Sequence, residues 1–224
     1  DYVHQVLILN EGYYDYGFQQ IVEPVTVGVY DNLTQDYSTV AQLDGMRFAS
    51  DLIIDDNVYY IAADTKIFKM DLNTHEVLAS VSCQGVRNLA VVGDRLFATR
   101  GEYQVVLDSY LHVYNANDLS LELAFDTING PKWSTQNIVA NGNNVYIVIN
   151  NAYESMNEKG IVGHINAETL SYENEFDLGP DALNPDNMLI FNNNLYTVNN
   201  KDWTGSSISK LDLDFTSSET VNLP

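Results

Sequence analysis

The chain has 224 residues, a formal net charge of −21, 45% hydrophobic residues and one cysteine. That apolar share excludes a disordered polyelectrolyte, and the charge excludes nucleic acid or a bare anionic membrane as a natural partner. A single cysteine excludes an internal disulfide. No apolar run approaches membrane-spanning length, and any membrane link is expected only through a lipid anchor upstream of the chain.

In chain order, VLILNEG (6–12) reads as a strand, and VTVGVYDNLTQDYSTVAQ (25–42) as two strands around a polar turn anchored at Asp31. DLIIDDNVYYIAAD (51–64) then shows two apolar runs separated by turn residues, the pattern of a β-hairpin. TKIFKMDLNTHEVLASVS (65–82) repeats the strand–turn–strand unit with Asp71 as anchor, and Cys83 at its end reads as a small core residue rather than a nucleophile. The same pair of patterns returns as NLAVVGDRLFATRG (88–101) with YLHVYNANDLSLELAFD (110–126), as NIVANGNNVYIVIN (137–150) with GIVGHINAETLSYENEFD (160–177), and as NMLIFNNNLYTVNN (187–200) with SSISKLDLDFTSSETVNL (206–223). Asp31, Asp71, Asn115, Asn166 and Asp212 recur at intervals of 40 to 51 residues.

A four-stranded unit, A to D, at this period is a propeller blade. The expected fold is therefore all-β, a β-propeller in one domain, with blade units at about 1–45, 46–85, 86–130, 131–180 and 181–224. Strand B is predicted near 58–63, 95–99, 145–150 and 195–198, and A–B turns at Asp55-Asp56, Gly93-Asp94, Gly142-Asn143 and Asn192-Asn193. The first unit lacks strand A. Either five unequal blades make the ring, or the chain is part of a larger, seven-bladed propeller; the second is expected, with a C-terminal strand closing the free edge.

The tripeptide Asn10-Glu11-Gly12, the strand VYIV (145–148), the turn NAET (166–169) and the Pro185-to-Met188 entry to a strand A carry a resemblance. The chain resembles the YncE-like, surface-layer-type propellers found as exported lipoproteins in Bacteroidetes. That resemblance implies a propeller at the cell surface or in the periplasm, in a group that includes proteins capturing cobalamin and other corrinoids.

In an antiparallel blade, A–B and C–D turns share one rim, and B–C loops and D–A crossovers share the other. The first set is short and polar. The second holds Tyr13, Tyr14, Tyr16, Phe18, Tyr103, Tyr153 and Trp203 in B–C loops, and Phe48 and Trp133 in crossovers. It also holds Arg47, Lys66, Arg87, Arg100, Lys132, Lys159 and Lys201, most of the cations of an acidic chain. Long loops on a rigid scaffold are where binding residues collect. The expected ligand-binding residues are Tyr14, Tyr16, Arg87, Arg100, Lys132, Trp133, Tyr153 and Trp203, with Trp133 and Phe48 equally readable as plugs between blades.

HExxH, P-loop, dinucleotide and GxSxG motifs are absent. His75 falls in a turn of the short-loop rim, and His4, His112 and His164 fall in or beside strands, so no histidine base is expected among the aromatic loops. Asp212 and Asp214 are placed two apart on one strand face, as a solvated edge rather than a calcium site. The expected function is extracytoplasmic, non-enzymatic binding of a corrinoid, a glycan or an outer-membrane protein, with no cofactor assigned. The alternatives are a propeller lyase or hydrolase using Glu102, Glu154 or Asp186, and an adhesion module.

Overall fold

The computed structural model describes residues 5–201 and 205–223. The chain forms two compact units, Asp1–Val86 and Arg87–Pro224.

In the first unit, β1 (Gln5–Asn10) pairs antiparallel with β4 (Val25–Asp31), and β4 with β5 (Asp36–Leu43), in the order β1-β4-β5. Residues 5–10 are thus a strand B on the edge of a three-stranded sheet, as the repeat predicts. The Tyr-rich stretch expected as a loop is a hairpin instead, β2 (Tyr13–Asp15) against β3 (Gln20–Glu23). Asp15 makes that turn, its Oδ1 accepting the N–H groups of Gly17 (2.8 Å) and Phe18 (3.0 Å). The next sheet runs β6 (Ala49–Asp55), β7 (Val58–Ala63), β8 (Lys66–Asp71), β9 (Val77–Ser82) in sequence order. Asp55 pairs with Val58, so the turn is Asp56-Asn57, one residue later than expected. Val25, Val27, Tyr59, Ile61 and Met70 are central to the core of this unit.

The second unit holds three four-stranded sheets, each in A-B-C-D order. They are β10 (Val86–Val92) to β13 (Leu121–Asp126) through β11 (Arg95–Arg100) and β12 (Ser109–Asn115); β14 (Thr135–Asn141) to β17 (Ser171–Asp177) through β15 (Asn144–Ile149) and β16 (Ile161–Asn166); and β18 (Pro185–Phe191) to β21 (Ser218–Asn222) through β19 (Asn194–Asn199) and β20 (Ser207–Asp212). A single turn of 3-10 helix, Pro180–Ala182, precedes β18. Phe97, Leu111, Ile147 and Ile165 belong to one buried cluster, and Val148, Val162, Leu195 and Leu211 to another. β7, β11 and β15 are buried almost throughout, whereas β9, β13 and β21 are mostly exposed. That gradient explains the sequence: strand B is largely apolar because both faces are covered, and strand D mixes in polar residues because one face meets water. The fold class is the β-propeller.

The recurring Asp/Asn anchors have one structural task. Oδ1 of Asp31, Asp71 and Asn166 accepts backbone N–H groups two and three residues on, at 2.7–3.2 Å. Asn115 does so from Asn117 and Asp212 from Thr216. The chain then passes through a left-handed residue, Gln35, His75, Leu119, Leu170 or Phe215, before strand D begins. A short polar side chain that can imitate a turn's own hydrogen bond is the reason for Asp or Asn at each anchor. Strand β20 ends at Asp212, so Asp214 lies in the turn and does not share a strand face with it.

Candidate functional site

The B–C loops and crossovers of the second unit bring several of the expected residues together. Arg87, at the start of β10, stacks its guanidinium 5.5 Å from the ring centroid of Tyr153, and its Nε donates to Gln136 Oε1 at 3.1 Å. Lys159 Nζ sits 4.9 Å from the Trp133 ring. Both separations fall within the range of favourable cation–aromatic attraction.

The loop 150–160 supplies Tyr153 and Lys159, and its shape is set by Asn151. Asn151 is buried and takes a left-handed backbone (φ 50°). Its N–H donates to the Ser134 carbonyl (3.1 Å), and its Nδ2 donates to Glu154 Oε2 (2.9 Å) and to the Asn157 carbonyl (3.0 Å). The hydrogen bonds from Asn151 and Asn157, with the nearby Lys159 charge, hold the Glu154 carboxyl below its ordinary range, so it stays ionised. Asn157 Oδ1 in turn accepts from Lys159 Nζ at 2.6 Å. A Cβ on Gly101 would lie 2.9 Å from the Tyr153 ring and from Ser134 Cβ, so glycine there is what lets that ring lie against the end of β11. Trp133 packs on the apolar cluster of β10–β17 while its ring meets Lys159, so it is both a plug and a rim residue.

The remaining expected residues are placed differently. Arg100 is only 8% exposed and does not reach the rim surface. Its Nη1 donates to the Ser109 carbonyl (2.6 Å) and to His112 Nε2 (2.8 Å), so it braces β11 against β12. Lys132 is exposed. Trp203 and His4 lie outside the described residues. In the first unit, Tyr14 and Tyr16 meet edge-on at 4.9 Å, and Arg47 lies 5.9 Å from the Tyr14 ring and 5.4 Å from that of Phe48. Arg47 is held there by a two-point ion pair with the buried Asp64, Nη2 to Oδ1 at 2.6 Å and Nε to Oδ2 at 2.9 Å.

Sequence reasoning named Lys159 among the cations but missed Gln136 and Asn151, which position the two ring–cation pairs. The unusual length of the 151–159 insertion was the available signal. Among the described residues, no group of three or more His, Cys, Asp or Glu side chains is placed to hold a metal ion.

No family model matches the sequence. No curated protein matches it either. Solved structures do match: the chain is similar to dihydro-heme d1 dehydrogenase NirN in complex with DHE, with a TM-score of 0.67 and 14% sequence identity. The match covers 100% of this chain and 44% of that one, so the chain spans less than half of that protein's length. At such low identity the likeness establishes the β-propeller fold alone.

Proposed function

We propose that this chain is an extracytoplasmic, non-enzymatic binding protein that holds its ligand on the B–C/D–A rim of the second unit. The observation that carries this is the pairing of Arg87 with Tyr153 and of Lys159 with Trp133 on that rim, in a protein of net charge −21. A ring with a cation over it offers flat contact area, hydrogen-bond donors and a local positive charge, which suits a large ligand with both apolar faces and polar edges. A corrinoid has that character, and the resemblance to exported propellers of the YncE-like, surface-layer type supports the same choice and a position at the cell surface or in the periplasm. A glycan or an outer-membrane protein is the other class of partner that such a rim would suit.

The test is titration of the purified chain with cyanocobalamin and cobinamide by calorimetry. Trp133→Ala and Tyr153→Ala should each weaken binding by about 1–3 kcal/mol, the range for loss of an aromatic stacking contact. His75→Ala, in a C–D turn, should leave it unchanged. Because Trp133 also packs on the core, the melting temperature of its variant is measured first, and Tyr153, which is outside that apolar cluster, decides the outcome. Equal loss from His75→Ala and Tyr153→Ala, or no binding of either corrinoid, removes the corrinoid reading.

A further inference from the structure

A second concave site lies on the opposite rim of the second unit, where the sequence shows only short turns. A cleft of about 410 Å³ opens between the sheet β14–β17 and the sheet β18–β21. Small-ligand sites are typically ~300–1,000 Å³. Strand pairing builds one of its walls. Tyr146 pairs with His164 and His164 with Asn174 across β15, β16 and β17, so the three stand in a row on one face. The His164 ring lies nearly flat on Tyr146, at 5.1 Å and 17° between planes. Its Nε2 meets Asn144 Oδ1 at 2.9 Å, which fixes the ring's orientation. The other wall is Leu213 and Asp214 in the C–D turn of the next sheet, a turn anchored by the Phe215 ring against Tyr146, His164 and Phe176 at 5.9–6.1 Å. The Asn193 turn also lines the cleft.

The chemistry of this lining is selective. No Lys or Arg lines the cleft, so an anionic ligand finds no counter-charge. Apart from Leu213 its lining is polar or aromatic, so a wholly apolar ligand gains little. Four asparagine amides line the cleft; Asn144 Oδ1 is taken up by His164, and the donors and acceptors of the others match hydroxyl groups, which also both donate and accept. Tyr146 is itself buried, so the half-buried His164 ring stacked on it is the aromatic surface beside these amides that can meet the C–H face of a sugar ring.

We propose that this cleft is a saccharide-binding site, separate from the rim of the proposed function, taking one or two neutral pyranose units. Its test is an NMR titration of the whole chain with a panel of neutral methyl pyranosides and their β-linked disaccharides at millimolar concentration. The His164 ring signals are assigned by their loss in His164→Ala. Saturable shifts of those signals are expected, and Asn174→Ala, at an exposed strand position, should weaken binding about three- to tenfold for one lost hydrogen bond. Tyr153→Ala, on the opposite rim and outside the buried clusters, should leave the titration unchanged, which separates this site from the corrinoid reading. Absence of shifts with every sugar, shifts only with a cationic probe such as ethanolamine, or equal binding in Asn174→Ala overturns the proposal.

Discussion

His112 gives the structure a pH dependence that can be worked out in advance. Its Nε2 receives a hydrogen bond from Arg100 Nη1 (2.8 Å), so that nitrogen must carry a lone pair, and Nδ1 faces the Tyr114 hydroxyl (2.9 Å). Protonation would set an N–H against a guanidinium. Burial first, and the Arg100 charge second, push the His112 pKa from 6.5 down to about 4. The unfolded chain therefore binds a proton near 6.5 that the folded chain refuses until about 4. Stability is full above that window, falls as pH drops through it, and stops falling below it. Linkage over these two values gives a loss of about 2 kcal/mol between neutrality and roughly pH 5. The perturbation is His112→Gln, which keeps a polar side chain but cannot titrate. The assay is urea unfolding of both proteins near neutrality and near pH 5. The variant is expected to be less stable at neutrality, yet its loss on acidification should be smaller than that of the unmodified protein by about 2 kcal/mol. The carboxylates and other histidines are common to both proteins and cancel in that difference. Identical acid dependence, or a His112 ring that titrates near 6.5 by NMR, would show that His112 does not carry this pH dependence.

Two further outcomes test the turns and the repeat. The Asp212 carboxylate is held down to about 2 by hydrogen bonds from the Thr216 hydroxyl and N–H and from the Ser217 hydroxyl, so it contributes stability above its ordinary 3.8 that is lost as pH falls toward 2; Asp212→Ala should lower the melting temperature at neutrality and remove that part of the acid loss, while Asp212→Asn, which keeps Oδ1 as acceptor, should recover part of the former. A Cβ on Gly163 of β16 would meet the Tyr172 hydroxyl of β17 at 2.5 Å, so Gly163→Ala should cost about 1–3 kcal/mol of overpacking strain in denaturant unfolding, and adding Tyr172→Ala should recover that strain; strictly additive effects would show that the ring is not what requires the glycine.

The repeating units are written in local sequence. Turn chemistry and strand period are carried by neighbouring residues, so the Asp/Asn anchors, the buried B strands and the A-B-C-D order were legible without coordinates. Even the Gly28–Tyr37 and Gly163–Tyr172 pairs follow the repeat, each glycine three residues before its anchor and each tyrosine six after. The Tyr13–Phe18 stretch was less legible, because a short hairpin inserted in a loop shares its composition with the loop. Which side chains from different blades meet is set by packing between sheets. Arg87 and Tyr153 are 66 positions apart in the chain, and nothing local distinguishes Arg87, which lies over a ring, from Arg100, which turns inward to Ser109 and His112. The cleft beside His164 was equally hidden, since each of its asparagines is an ordinary turn or strand residue in its own blade. Packing of one twisted sheet against the next places them around a common space, and the sequence pattern of a single blade holds no record of that juxtaposition.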